Sequence, residues 1–447
     1  MALLTQVEAL SRQIDARQVR LHEADRYYAG TQPLAYLSPA ARKALGDRLA
    51  SVAANYVKLA TDSLAERLAV DGFRVGGQTL TDVWVDWRAC GMDRAHRVAI
   101  TEALVLGQAF LTCWADPTGA PVVTVDSPRE VAVTRDPLSR EVTTALKRWR
   151  DDDGTARAVL YAAETITLWR GPEVPEGGAL PTTGWRYSDT RANPLGVVPV
   201  VELTNAGRLL DTYGTPEARD IWTLCDALAK LLSDVLVASE ATALPRRWAT
   251  GLQIVEDDDG NPVNPFSTEP GSVWQSESEA TRFGSCPEPT LGGYGGLIEV
   301  ILRQIGSIAG LPDHLMGFAG TEPSSAEQIR ASESSLVARA NARQVTFSPA
   351  FSKVAALVQA IRTGGRVRTD VEVVWASPES RTVAQAADAA AKVVAAGLLS
   401  VERAQAVYLG LTPAEVEAER AAKVRAALDA APLTLPPAIP VGTSPTP

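Results

Sequence analysis

The stretch 296–362 constrains this chain more than any other. It opens with Leu297, Val300, Ile301, Ile305 and Ile308, spaced as one face of a helix. Gly310-Leu311-Pro312 stops that helix, because proline lacks a backbone donor and forces the residue before it out of helical geometry. A loop follows over 313–323, broken by Gly317, Gly320 and Pro323 and without a strand period. Ser324 with Glu327, and Ser325 with Gln328, both fit the capping box that starts a helix. The pattern then predicts a helix to about residue 347, rich in small residues, resuming after Pro349 as 350–361. A medium helix, a Gly/Pro loop and a very long helix form an architectural unit. Nothing in it has the makings of a reaction centre.

At 447 residues the chain exceeds one ordinary core, and two or three domains are expected. Its 46% apolar and 21% charged residues match a soluble globular protein. No apolar run reaches the length of a membrane span, and Met1-Ala2-Leu3-Leu4-Thr5-Gln6 lacks the basic start of a signal peptide. The chain therefore reads as neither exported nor membrane-spanning. Cys90, Cys113, Cys225 and Cys286 stand singly, and with only His22, His96 and His314 beside them a zinc site is not expected. They read as reduced, mostly buried thiols of a cytoplasmic protein. A net charge of −10 argues against a protein whose task is to grip nucleic acid, though not against a surface that DNA passes without sticking.

Taken in order, 3–26 reads as an opening helix with Leu3, Val7, Leu10, Ile14 and Leu21 in a narrow stripe. Ser38-Pro39 is a helix start, and a further helix spans about 55–69, closing at Val70-Asp71-Gly72-Phe73. Short helices are expected near 80–87 and 93–106. From Gly107 the period changes to two, and 108–114, 121–125, 130–134, 142–149, 158–163 and 165–169 read as one antiparallel sheet, with another strand at 197–203. A long helix is expected over 215–240, about 40 Å at 1.5 Å per residue. Short strands and turns then fill 242–290, at 246–249, 252–255 and 272–275 with a hairpin signal at Asp259-Gly260. After the long helix come a strand at 370–375 and helices at 383–396, 400–408 and 413–428. The residues 431–447 are Pro, Thr and Ala without period and read as a disordered tail.

No P-loop, nucleophile elbow or HExxH pair occurs. The acidic runs Asp151-Asp152-Asp153-Gly154 and Glu256-Asp257-Asp258-Asp259-Gly260 lack EF-hand spacing and read as solvated turns. His96 and His314 read as solvated or hydrogen-bonded side chains. Trp248 and Trp274, inside the 242–290 insertion, are the best candidates for an intersubunit contact. Arg330, Arg339, Arg343 and Lys353 read as a solvated or salt-bridged helix face, with phosphate contact as the sharper alternative.

The ordered landmarks Tyr27-Tyr28-Ala29-Gly30, Arg67-Leu68-Ala69-Val70-Asp71-Gly72-Phe73, Gly107-Gln108-Ala109-Phe110 and Asn193-Pro194-Leu195-Gly196-Val197-Val198-Pro199 come first. Glu240-Ala241-Thr242-Ala243-Leu244-Pro245, Ile308-Ala309-Gly310-Leu311-Pro312, Ser324-Ser325-Ala326-Glu327-Gln328-Ile329-Arg330-Ala331 and Trp375-Ala376-Ser377-Pro378 complete the series. Together, over about 10–428, they resemble the portal proteins of tailed double-stranded DNA phages, of the siphophage type found in phages of actinobacteria.

The resemblance implies an α+β, mainly helical portal fold with wing, stem, clip and crown regions. The wing would span 1–213, helical and then antiparallel β-rich. The stem helices would be 214–241 and 291–310, with the clip at 242–290 between them. The tunnel loop would be 311–324, the long wing helix and strand 325–376, and the crown 377–430. The tail 431–447 has no firm counterpart. The resemblance further implies a dodecameric ring at one capsid vertex, the channel for packaging and ejecting double-stranded DNA. Expected partners are the terminase large subunit, the head–tail adaptor, and the major capsid and scaffolding proteins. The expected location is the virion, after assembly in the host cytoplasm, with no catalysis, metal, cofactor or membrane. Pro312, Asp313, His314, Leu315, Met316, Gly317, Phe318 and Gly320 would line the channel, Trp248 and Trp274 would meet partners, and Arg330 and Lys353 are the candidate cations facing DNA. The competing readings are a metal-dependent phage hydrolase or nuclease using the acidic loops, and a monomeric helical scaffold or adaptor.

Overall fold

The computed structural model describes residues 2–33, 54–243, 247–251, 255–256, 262–263, 276, 279–285, 292–318, 326–379 and 383–429. The expected helix start at Ser38-Pro39, the Asp259-Gly260 turn, Trp274, Gly320 and the 431–447 tail lie outside these residues.

The fold is α+β and mainly helical. Helix α1 (Ala2–Ala29) serves two cores. Its first half sets Val7, Leu10 and Ile14 against a β-sheet, and its second half sets Leu21 and Ala24 among helices. Helix α2 (Tyr56–Ala65) is capped by Asn55, whose side chain accepts from Lys58 N at 3.0 Å and whose amide donates to Tyr28 O at 2.8 Å. It stops four residues short of the expected end. The remaining four residues form a link to strand β1 (Val70–Val75), which is followed by β2 (Gln78–Thr79).

Helices α3 (Thr81–Ala89) and α4 (Met92–Leu106) lead into a three-stranded sheet whose first members are β3 (Gln108–Ala115) and β4 (Pro121–Asp126). The strands β5 (Val131–Arg135), β6 (Val142–Arg150), β7 (Thr155–Ala162), β8 (Thr165–Glu173) and β9 (Arg186–Ala192) form an antiparallel meander. Strand β10 (Val200–Thr204) then returns to pair with β3. The expected single sheet is thus two. Strand β3 is an almost unbroken apolar run and is buried along most of its length, the mark of a strand covered on both faces. The meander's first strands, β5 and β6, bury Ala132 and Leu146 in one core and Val131, Val133 and Ala145 in another. Strand β9 was missed because every residue of it is exposed, leaving no apolar period to read.

Helix α5 (Trp222–Ala243) begins later than expected, after a 3₁₀ turn at Arg219–Ile221. The residues before it are held elsewhere: Thr215 N donates to Asn205 O at 3.0 Å and Glu217 N to Leu104 O at 2.8 Å. Gly107 and Gly214 cross here with φ of +87° and +66°, and a Cβ on Gly214 would lie 1.9 Å from the Gly107 carbonyl oxygen. Only glycine permits that crossing. The insertion contains β11 (Arg247–Thr250), β12 (Val255–Glu256), β13 (Pro262–Val263) and β14 (Arg282–Ser285), paired as β11 with β14 and β12 with β13.

Helix α6 (Gly292–Ala309) packs on α5, and α7 (Ala326–Thr363) runs on without a break. The expected interruption at Pro349 does not occur. The carbonyl that Pro349 cannot satisfy belongs to Val345, a residue that is 75% exposed. Burial of Phe347, Phe351, Val354, Leu357 and Val358 holds both halves on one axis. Ser348 pins the site further, donating to Gln344 O at 2.6 Å and accepting from Trp375 Nε1 at 2.8 Å. Trp375 closes β15 (Glu372–Trp375), which pairs antiparallel with β1 across 300 residues of sequence, Val70 opposite Trp375. Helices α8 (Val383–Ala395), α9 (Val401–Tyr408) and α10 (Pro413–Asp429) end the described chain. No helix among the described residues is long and apolar enough to cross a membrane.

The main core gathers α3, α4, β1, β3, β10 and α7. His96 sits inside it as a neutral ring, with Nδ1 donating to Met92 O at 2.6 Å and Nε2 accepting from Val70 N at 3.3 Å. Burial, and secondarily the Arg97 charge, depress its pKa. The unfolded chain therefore binds a proton that the fold refuses, so stability falls as pH drops below about 6.5, the ordinary histidine value. Acid titration of unfolding should show that loss, and His96→Gln should flatten it. The thiols behave as buried groups do: burial drives Cys225 up to about 12, and Cys90 and Cys113 are also raised.

Candidate functional site

The site is the junction where α6 ends, the chain turns, and α7 begins. Gly310 adopts φ +69°, and Leu311 N donates to Gly306 O at 2.9 Å, a Schellman termination of the helix. The residues after it close a compact turn. Leu315 N reaches Pro312 O at 3.0 Å, while Met316 N and Phe318 N both reach Asp313 O at 3.1 Å. Leu311 and Met316 are buried in the helical core, Met316 against Gly306, with Leu315 and Phe318 packed at its edge. Glycine at 306 leaves a hollow that Met316 fills, and a flexible thioether suits such a gap. Asp313, His314 and Gly317 remain exposed.

Helix α7 holds this junction by one face. Glu333, Leu336, Ala340 and Phe347 are buried along it, and Arg339 between them donates to the Ile308 carbonyl at the C-terminus of α6. A cation there satisfies an orphan acceptor and complements the helix dipole. Arg339 also lies 3.6 Å from Glu217, whose other oxygen meets Arg343 at 2.8 Å and Asn205 Nδ2 at 3.0 Å. Glu333 pairs with Arg67 at 3.2 Å and lies 3.7 Å from His314 Nε2. Arg303 is paired with Glu299 at 2.6 Å and stands 5.9 Å from the Phe318 ring. Four arginines near the turn, Arg67, Arg303, Arg339 and Arg343, are thus matched by carboxylates of the same chain. Because Gly310 is left-handed and a Cβ there would meet Arg339 and Ser335 atoms at 2.8 Å, Gly310→Ala should cost about 1–2 kcal/mol or more. Thermal unfolding and hydrogen exchange along 306–311 would measure it.

The other sequence candidates are dispersed. Arg330 is exposed on the early turns of α7. Lys353 lies roughly 35 Å further along that helix, at 1.5 Å per residue. It lines a cleft of about 1020 Å³ with Val198, Pro349 and Val373, so the two cations are not brought together. Trp248 on β11 is 45% exposed, its ring lying over Gly284 of β14. In the acidic run 151–154, Asp151 and Asp153 both pair with Arg157 at 3.1 Å around the β6–β7 turn. Sequence reading missed Glu333, Glu217 and Arg67. A faint signal existed for the first, a lone acid in the apolar series continued by Leu336, Ala340 and Phe347.

The site is a helix–turn–helix junction tied inward by carboxylates of its own chain. Residues 8–428 match the family described as phage portal protein, SPP1 Gp6-like, and the chain belongs to that family. It is 29% identical over 392 residues to the portal protein of Mycobacterium phage L5, covering 82% of this chain and 77% of that one. Against the portal protein of Mycobacterium phage D29 it is 29% identical over 373 residues, covering 78% and 74%. Solved chains of similar shape come from the virion of the native gene transfer agent particle, at TM-score 0.45 and 16% identity, covering 88% of this chain and 99% of that one. Another comes from the neck of the empty particle, at 0.48 and 15%, covering 86% and 96%. The family to which the chain belongs, that of phage portal proteins, is a structural rather than an enzymatic one.

Proposed function

We propose that this portal protein assembles as a dodecameric ring at one capsid vertex, forming the channel through which double-stranded DNA is packaged and ejected. The observation that carries this reading is the second apolar face of α6. Ile298, Ile301, Leu302 and Ile305 pack inward. Leu297, Val300 and Ile308 form another stripe that is 55%, 55% and 41% exposed. A helix apolar on two sides is built for burial on two sides, and each such side chain gains about 1.5–3 kcal/mol when fully covered. A heterologous contact that closes on itself gives a ring.

In this reading 1–213 is the wing, α5 and α6 are the stem, 242–290 the clip, 325–376 the long wing helix with its strand, and 377–430 the crown. The clip would dock the terminase large subunit and later the head–tail adaptor, with Trp248 and Trp274 among its contacts. The major capsid and scaffolding proteins would surround the ring during assembly in the host cytoplasm. The 311–324 loop would line the channel, presenting Asp313, His314 and Gly317. Self-paired arginines behind it offer phosphates little to exchange for their counterions, so DNA would slide rather than stick. Arg330 and Lys353 would face DNA at separate heights. Val300→Asp places a charge in the proposed seam. The expected result is unchanged secondary structure with rings reduced to smaller species in negative-stain images; intact rings would remove the seam from α6.

A further inference from the structure

Arg67, Glu333 and His314 join three parts of the chain that are far apart in sequence. Glu333, on the second turn of α7, is only 6% exposed. Arg67, in the link between α2 and β1, reaches it with Nη2 at 3.2 Å and donates from Nη1 to Pro378 O at 2.7 Å. His314, on the turn after α6, approaches the same carboxylate to 3.7 Å, a polar contact longer than a hydrogen bond. Pro378 lies on the segment leading to the C-terminal helices. That segment is also held at Ala376, by Ala376 N to Ala69 O at 2.9 Å and Gln344 Nε2 to Ala376 O at 3.0 Å.

Packing does not fix this corner. A cavity of about 360 Å³ opens between Ser63, Glu66, His314 and Ser377, and His314 itself is 39% exposed at the side chain. On its other side the turn is anchored by Met316 in the core. The turn can therefore pivot about Met316, with the polar contact to Glu333 setting where it rests. A buried carboxylate that loses one partner is destabilised strongly, so the contacts on either side of Glu333 are not independent.

We propose that the Arg67–Glu333–His314 relay couples the setting of the 312–318 turn to the seating of 376–379, so that displacing either loosens the other. For the channel reading above, on which this consequence rests, the loop and the C-terminal helices would then respond as one unit. The coupling itself needs no ring and can be measured without one.

The test is hydrogen exchange on the full chain carrying Arg67→Met, His314→Asn, or both. Arg67 enters the relay through Glu333 and Pro378, and His314 enters it through Glu333. The relay expects Arg67→Met to speed exchange at the amides of Leu315, Met316 and Phe318 by about tenfold, and His314→Asn to do the same at Ala376. The double variant should add little beyond the larger single effect. Amides of β7, remote from the corner, serve as the reference and should stay unchanged. Effects confined to each variant's own side would overturn the proposal. So would equal acceleration at β7, which would mean general destabilisation rather than coupling.

Discussion

Phe351→Ala should lower the stability of the main core by about 3–5 kcal/mol, the usual cost of deleting a fully buried aromatic ring. Phe351 is fully buried on α7. Its ring meets Trp375 of β15 at 5.6 Å, Trp87 of α3 at 6.0 Å and His96 of α4 at 6.4 Å, each edge to face. Three other elements close on this one side chain, and none can collapse into the gap without leaving its other contacts. Edge-to-face pairs add about 0.5–1.5 kcal/mol beyond area alone, which places the loss toward the upper end. Phe351→Leu, nearer in volume, should cost clearly less. Denaturant unfolding of the three proteins followed by tryptophan fluorescence would rank them; equal midpoints would mean that the core has slack the packing does not show.

Glu217→Ala is expected to be comparably severe for a different reason. The Glu217 side chain is 8% exposed and receives Arg339, Arg343 and Asn205. Removing it leaves two guanidinium groups facing each other without a counterion, and breaking a buried pair from one side costs about 3–5 kcal/mol. Because Arg339 also caps α6, the damage should appear as fraying at 306–311 and not only as a lower melting point. Glu217→Gln keeps the Asn205 contact and should fall between. A triple variant that also replaces Arg339 and Arg343 by methionine should recover part of the loss, since the uncompensated charges are then gone. Failure to recover any of it would show that packing, not charge, sets the cost.

Local periodicity carried much of the architecture. The stripe beginning at Leu297, the stop at Gly310-Leu311-Pro312 and the serine start of α7 are short-range signals, and α6, the turn and α7 follow from them. What escaped was non-local. Val70-Asp71-Gly72-Phe73 looks like a helix end because its partner, β15, is 300 residues away. Pro349 looks like a break because the sequence does not reveal that Val345, one turn before it, lies on the exposed side of the helix while Phe347 and Phe351 are buried. The candidate site divides in the same way. That 311–318 leaves the helical wall was legible from its prolines and glycines, whereas the burial of Met316 and the tie from His314 to Glu333 required α6 and α7 in place. Charges that look like a phosphate-facing series, Arg339 and Arg343, turn inward because Glu217 sits one helix away in space and more than a hundred residues away in sequence.

The most direct test of the account is the mass of the purified full-length protein under native conditions, across a range of concentration and salt. The account predicts a closed assembly of twelve copies, with a central channel when the same sample is imaged. A stable monomer under every condition would contradict it, because the open apolar face of α6 would then have no partner to cover it.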